Sequence, residues 1–428
     1  MRILLVNYRY WVSSGPERYM FNLTDLLQAA GHEVIPFSVA YDMNEPTPYS
    51  EYFVRPIAGG DQAFFGEHSW SPKTFARAMG RTFYSREVYA ALTTVLTRFK
   101  PDVAVVMAYQ RKMSPSVLTA LRDAGVPCLV RLSDYAMVCA GSSLHRDGRL
   151  CVECMDGRLL PGVLHRCVHG SAGASAVNAA AMTIHRMRGW YDIPFAYVTP
   201  SSALRTAMLG CYGWREEKVR LLPTFVPERP DVIPARDRSP EIVYAGRLDG
   251  LKGIDVLIDA YGVLRQRMGG RAPKLVIAGG GTRTEVARVR ALPMVLGMGG
   301  SIEFRGAVNP PEVLDLLAGA IVSVVPSVCV ENLPNSLLES LACGTPVVAS
   351  DTPSIAEVLR GSGAGVLVPP GDAAALAQAL ERILNEDADI RQGMVTAAAA
   401  CARNLYSPAR HLDLLSSLLD EARAGRST

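Results

Sequence analysis

The sequence predicts an α/β protein with two open parallel sheets, and three observations predict it. Short apolar runs alternate with amphipathic stretches along most of the chain, the pattern of strands covered by helices on both faces. A stretch with five prolines, LLPTFVPERPDVIPARDRSP from Leu221 to Pro240, interrupts the alternation, and the pattern then restarts. The 428 residues also exceed one ordinary core and suit two domains.

The first half opens with a strand at Ile3–Val6 and a loop with Gly15. A helix at about Glu17–Ala30 follows, with Tyr19, Leu23, Leu26, Leu27 and Ala30 at helical spacing. Gly31 suits the left-handed stop after it. Strands at Val103–Met107 and Cys128–Leu132 each follow a proline. Leu221–Pro240 reads as an extended interdomain linker. The second half gives strands at Ile242–Ala245, Lys274–Ala278, Ile302–Arg305, Ile321–Val325 and Val347–Ser350. Helices are expected near Asp255–Met268, Pro311–Leu317 and Ser336–Ala342. From about Pro408 a last amphipathic helix carries Leu412, Leu415, Leu418 and Leu419. The expected division is 1–225, a linker at 226–240, 241–406, and a helix at 407–428 that returns to the first domain.

Composition removes several functions. With 49% hydrophobic and 20% charged residues, the chain is ordinary for a soluble globular protein. A net charge of +3 gives no reason to expect a nucleic-acid partner. No apolar run approaches the ~18 residues of a membrane helix. The start, MRILLVNYRYW, turns polar at Asn7 and reads as a buried strand, not a signal peptide. A cytoplasmic protein is expected. A peripheral membrane contact stays open through HRMRGWY at His185–Tyr191, whose other reading is a solvated helix end.

Ligands of such sheets bind beyond the carboxyl ends of the strands, so residues there carry the chemistry. In YAGRLDGLKGIDVLIDAY, Gly246 allows a close turn, and Arg247 and Lys252 sit between a strand end and a helix start. That suits a diphosphate, with Arg as a fork and Lys as a point charge; two solvated loop cations is the alternative. In VVPSVCVENLPNSLLESLACGTPVVASD, a helix N-terminus near Asn335 or Ser336 offers an anion site. Glu331 precedes it and Glu339 lies one turn inside. Two carboxylates there suit sugar and ribose hydroxyls. Alternatively, Ser336 and Glu339 form an S-x-x-E capping box and Glu331 is simply exposed. LVIAGGGT at Leu275–Thr282 is a strand and glycine turn.

Five of the nine cysteines (Cys128, Cys211, Cys329, Cys343 and Cys401) sit in apolar or helical contexts and read as reduced core thiols. Cys139, Cys151, Cys154 and Cys167 cluster around one C-x2-C centre. Structural zinc and reduced thiols are both open there, with His145, His165 and His169 as substitute ligands. A zinc at this position would pin a loop and perform no transfer.

In order, GRL…KG, IEFRGAV, PS…E-x7-E, ACGTPVVASD and GVLVPPGD resemble the large fourth family of retaining glycosyltransferases with the GT-B fold. The likeness spans essentially the whole second domain. It implies a nucleoside-diphosphate-sugar donor, with Arg247 and Lys252 on the diphosphate, Glu331 on the sugar and Glu339 on the ribose. It implies that the backbone at Leu333, Asn335 and Ser336 approaches sugar and phosphates, and that Arg305 and Gly306 lie near the base. No metal is implied for catalysis.

In the first half, SSGPERYMFNLTDLLQAAGHEV is similar to the family's glycine loop, with Ser14-Gly15 in place of two glycines; the resemblance implies that the Gly15 backbone approaches donor phosphates or acceptor, the other reading being an ordinary strand–helix turn. The family's His-Asp at a strand end is here Ser133-Asp134, which puts any role of that position in question. The acceptor is left as a glycan, a lipid-linked sugar or a small molecule. Two alternatives remain beside transfer: a nucleotide-sugar epimerase or hydrolase, and a non-catalytic nucleotide-sugar-binding or zinc-stapled interaction protein.

Overall fold

The computed structural model describes residues 1–63, 68–69, 71–229, 231–269 and 271–425. Pro230 of the expected linker, positions 64–67 and 70 of the first expected domain, position 270 and the last three residues of the expected final helix lie outside the described residues. The chain divides into two compact units. One comprises Met1–Ser142, Val152–Leu222 and the end of the chain from Leu412; the other comprises Ser143–Cys151 and Pro223–His411.

The first unit holds β1 (Arg2–Val6), β2 (Glu33–Phe37), β3 (Val103–Val106), β4 (Cys128–Arg131), and later β7 (Ala196–Thr199) and β8 (Val219–Leu221). In chain order a two-stranded hairpin, β5 (His145–Arg146) and β6 (Arg149–Leu150), lies between β4 and β7 and groups with the second unit. The six-stranded sheet has the order β2-β1-β3-β4-β7-β8, with every pair parallel. β3 and β4 are buried at every residue, as strands covered on both faces must be. The first helix runs Gly15–Ala29, two residues ahead of the expected start. Its early start follows from Pro16, whose fixed φ suits the first helical turn. The final helix is Pro408–Ala424.

A buried histidine ties this unit together and gives it a pH dependence. His185 is 3% exposed. One ring nitrogen lies 2.8 Å from the Phe83 carbonyl and the other 2.9 Å from the Tyr191 hydroxyl. The neutral ring satisfies both by donating to Phe83 and accepting from Tyr191. Burial lowers its pKa from 6.5 to about 4. The unfolded chain therefore binds the extra proton first as pH falls below 6.5, and stability is lost down to about 4. Between pH 7 and pH 5 the expected loss from this group is about 2 kcal/mol. Denaturant unfolding at the two pH values checks it, because His185→Gln removes that part of the pH dependence.

The second unit holds β9 (Ser239–Ala245), β10 (Lys274–Ala278), β11 (Ile302–Gly306), β12 (Ala320–Val325), β13 (Val347–Ser350) and β14 (Gly365–Val368). Its order is β11-β10-β9-β12-β13-β14, again all parallel. One face is packed by Ile254, Leu257, Ile258, Tyr261 and Leu264, together with Leu376, Leu380 and Ile383. Leu337, Leu338 and Leu341 pack in a second cluster with Ile355 and Leu359. Arg238, just before β9, is not a linker residue in solvent. Its buried guanidinium donates to the carbonyls of Ile233, Ala320 and Cys343 and to Thr345 Oγ1.

In both sheets the strand order reverses once, between β1 and β3 in the first and between β9 and β12 in the second. Loops diverge from the carboxyl ends at such a point and leave a crevice for ligands. Among the described residues, no helix is long and apolar enough to cross a membrane.

Candidate active site

Two loops leave the second sheet at its switch point, one after β9 and one after β12. Glycines bring them together. A Cβ at Gly253 would stand 1.9 Å from the Pro326 carbonyl oxygen, so only glycine admits this approach, and its φ of +72° suits glycine as well. Gly279, after β10, comes equally close to Gly246 after β9: a Cβ there would be 1.7 Å from the Gly246 carbonyl oxygen. Backbone bonds lock the contacts, from Val328 N–H to the Leu251 carbonyl and from Leu248 N–H to the Gly280 carbonyl.

The loops bring Lys252 and Glu331 into contact. Lys252 Nζ donates to Glu331 Oε1 at 2.5 Å. The same oxygen accepts from Ser327 Oγ at 2.7 Å, and the Glu331 carbonyl accepts from Ser354 Oγ at 2.6 Å. Asp249, which sequence reasoning passed over, organises the cations. Its Oδ1 accepts from the Lys252 backbone N–H at 3.0 Å, and its Oδ2 pairs with Arg247 at 2.8 Å. Arg247 is 61% exposed, so its head group can move, whereas Lys252 (26%) and Glu331 (12%) are largely enclosed. Tyr244 fixes the turn by donating to the Arg247 carbonyl at 2.6 Å, and burial raises its pKa, which keeps it a donor. Beside Glu331, burial pushes the Cys329 thiol up to about 11, with the Glu331 charge adding to the shift.

The helix after β12 runs Asn335–Ala342. Its N-cap is Pro334, and no side-chain cap bond forms there. Ser336 is thus the second helical residue, not the cap, and the alternative reading of a Ser336–Glu339 capping box is not what starts this helix. The reason is local: Leu333 has φ +153°, a conformation that L residues rarely adopt, and Pro334 supplies the helix entry. A proline cap offers no side-chain acceptor to the first N–H groups. Ser340 Oγ instead bonds the Ser336 carbonyl and accepts from Ser323 Oγ of β12, anchoring the helix to the sheet. Glu339 is buried on this helix, 7% exposed. Arg305 and Gly306 end β11. The Arg305 side chain pairs with Glu303 on the same strand at 2.5 Å, while Gly306 accepts from the Gly279 N–H at 2.7 Å.

Expected acceptor-side residues lie in the first unit. Gly15 opens the helix after β1. In that loop Glu17 is buried and accepts from Ser13 and Ser14 at 3.1 and 2.6 Å, with Arg9 at 3.6 Å. Ser133 and Asp134 follow β4, and Asp134 accepts from the Ala136 N–H at 2.8 Å.

All nine cysteines are free thiols. Cys139, Cys154 and Cys167 fall in the first unit, while Cys151 groups with the second. Cys139 Sγ and Cys167 Cβ flank Gly141, at 3.9 and 3.6 Å from where its Cβ would stand. Cys154 Sγ lies against Gly162, and burial raises its pKa. Among the described residues, no three His, Cys, Asp or Glu side chains are gathered so as to hold a metal. His165 is engaged by Glu153 at 3.0 Å.

Two parallel sheets of these orders, and the likeness to solved structures over the whole chain, define the class of fold: it is GT-B. The sucrose-phosphate synthase of Thermosynechococcus elongatus superposes with TM-score 0.69 at 21% identity over 99% of both chains. The Anabaena protein Alr3699/HepE, crystallised with UDP-glucose, superposes with TM-score 0.64 at 16% identity over 98% of this chain and 100% of that one. Within the fold, residues 239–386 match the model of the family described as Glycosyl transferases group 1. The D-inositol 3-phosphate glycosyltransferase of Acidothermus cellulolyticus is 34% identical over 214 residues, 46% of this chain and 47% of that protein. The chain thus spans about half the length of the curated relatives it matches.

Proposed function

We propose that the protein is a retaining glycosyltransferase that moves a sugar from a nucleoside-diphosphate sugar to a hydroxyl acceptor, without a catalytic metal. One observation carries this reading. At the switch point of the second sheet, Arg247, Lys252 and Glu331 converge beside a helix N-terminus. Such a constellation suits a diphosphate with a polyhydroxyl group attached. The names of the GT-B neighbours support the donor class, since one is a complex with UDP-glucose.

In the proposed reaction the bond from the sugar's anomeric carbon to the diphosphate breaks. Negative charge grows on the leaving phosphate, where Lys252 and Arg247 stabilise it. Glu331 holds sugar hydroxyls and fixes the anomeric carbon. The acceptor oxygen bonds to the same face, and its proton passes to the departing phosphate. Ser133, unlike a histidine, is no base at neutral pH without a partner, so this route asks nothing of it. In this reading the Gly15 backbone approaches the donor phosphates or the acceptor, and Ser133 and Asp134 contact the reacting sugar or the acceptor.

Thermal-shift measurement against UDP, GDP, ADP and their common sugars tests the donor site. At ~100 times Kd, one pair is expected to stabilise the protein by about 2.7 kcal/mol. Glu331→Ala is expected to remove the extra shift given by the sugar. If no nucleotide sugar moves the transition, the reading is wrong.

A further inference from the structure

We propose that Glu331 and the donor's diphosphate compete for Lys252, so that an ion pair is exchanged as the nucleotide sugar binds and re-forms as the nucleoside diphosphate leaves. The inference rests on the functional reading above and gives Glu331 a second task within it.

The geometry points to exchange. Glu331 Oε1 takes both Lys252 Nζ, at 2.5 Å, and Ser327 Oγ, at 2.7 Å. Ser354 holds the Glu331 backbone carbonyl, so this loop is fixed from two sides. Lys252 stands on a short turn pinned by Asp249. An ammonium in close contact with a carboxylate is largely neutralised, and a diphosphate needs its charge. The two anions cannot both have the full benefit of one lysine. Arg247 differs: it is 61% exposed on its pair with Asp249, and its five donors can serve two partners.

The exchange couples the two ends of the donor. Once Lys252 turns toward phosphate, Glu331 loses its cation and needs donors in its place. Sugar hydroxyls supply them. A nucleoside diphosphate takes the lysine but offers the glutamate nothing, and it leaves a second anion beside Glu331. Nucleotide sugar is therefore favoured over nucleoside diphosphate by the same residue that contacts the sugar. After transfer, recapture of Lys252 by Glu331 helps eject the product.

The exchange predicts opposite signs for one substitution. Glu331→Gln keeps the shape and an acceptor for Ser327 but removes the charge. Calorimetric titration with UDP and UDP-glucose, and with GDP and GDP-mannose, is the test. The nucleoside diphosphate is expected to bind Glu331→Gln roughly 3- to 10-fold more tightly than wild type, as for release of a half-enclosed ion pair. The matching nucleotide sugar is expected to bind less tightly. In a Lys252→Met background the gain for the diphosphate disappears, which assigns it to this pair. An unchanged or weaker diphosphate affinity in Glu331→Gln overturns the exchange while leaving the donor site standing. Wild-type protein that binds none of these four ligands, nor ADP and its sugars, overturns both.

Discussion

Lys252→Ala is expected to lower the turnover of sugar transfer by roughly 10²–10³-fold while leaving the fold intact. The fold is spared because the local turn is held by backbone and Asp249, not by the lysine head group. The Lys252 N–H is bonded to Asp249, and the Leu251 carbonyl accepts from Val328. In the proposed reaction the variant loses a largely enclosed charge at the leaving group, where water screens it little. Charge on the diphosphate grows as the glycosidic bond breaks, so this cation acts more on the transition state than on bound donor. The expected signature is a parallel fall in kcat and kcat/KM, with a smaller change in donor KM. Arg247→Ala is expected to cost less, about tenfold, because its side chain is 61% exposed and better screened. Steady-state rates with saturating acceptor, alongside melting curves, check both. An equal loss for the two cations would mean that Arg247 is enclosed in the working enzyme.

How much of this was legible in the sequence differs from residue to residue. The strands that bear the candidate site were readable, since runs such as Ile321–Val325 and Val347–Ser350 are largely apolar and each adjoins a proline. The pattern also placed Arg247, Lys252 and Glu331 at strand ends. It could not show that Lys252 and Glu331 touch, because 79 positions separate them and only the switch point brings their loops together. Asp249 was passed over for a related reason: a single Asp beside Arg and Lys has no spacing signal, and its work is visible only as two hydrogen bonds. The S-x-x-E at Ser336 left a capping box open as the alternative, and only the structure sets it aside, since a preceding proline with a strained Leu333 starts the helix differently. β8 and the two strands of the β5–β6 hairpin are three residues or fewer, too short for periodicity to mark. On the cysteines, sequence gave spacing alone, and Cys151 falls in the other compact unit from its three partners.

Gly279→Ala is expected to destabilise the second unit by about 3–5 kcal/mol and to abolish donor binding with it. Two costs add. At φ +157° the backbone lies where an L residue is strained, and a Cβ would stand 1.7 Å from the Gly246 carbonyl oxygen. That oxygen belongs to backbone, as do the next two nearest atoms, so no side chain can swing aside. Relief requires the β9 and β10 loops to part. Parting strains the bonds from Gly279 N–H to Gly306 and from Leu248 N–H to Gly280, and it moves the turn that carries Arg247. Gly361→Ala separates the two costs. Its φ is +76°, yet nothing lies within 4 Å of the added Cβ. It is expected to cost only about 1–2 kcal/mol, the strain alone. Denaturant unfolding of both variants, with nucleotide-sugar titration of whatever stays folded, gives the comparison. Equal losses would mean that conformation, not the close approach of the loops, makes glycine necessary at Gly279. A larger loss at Gly279, accompanied by loss of binding, would tie the stability of the second sheet to the shape of the loops after β9 and β10.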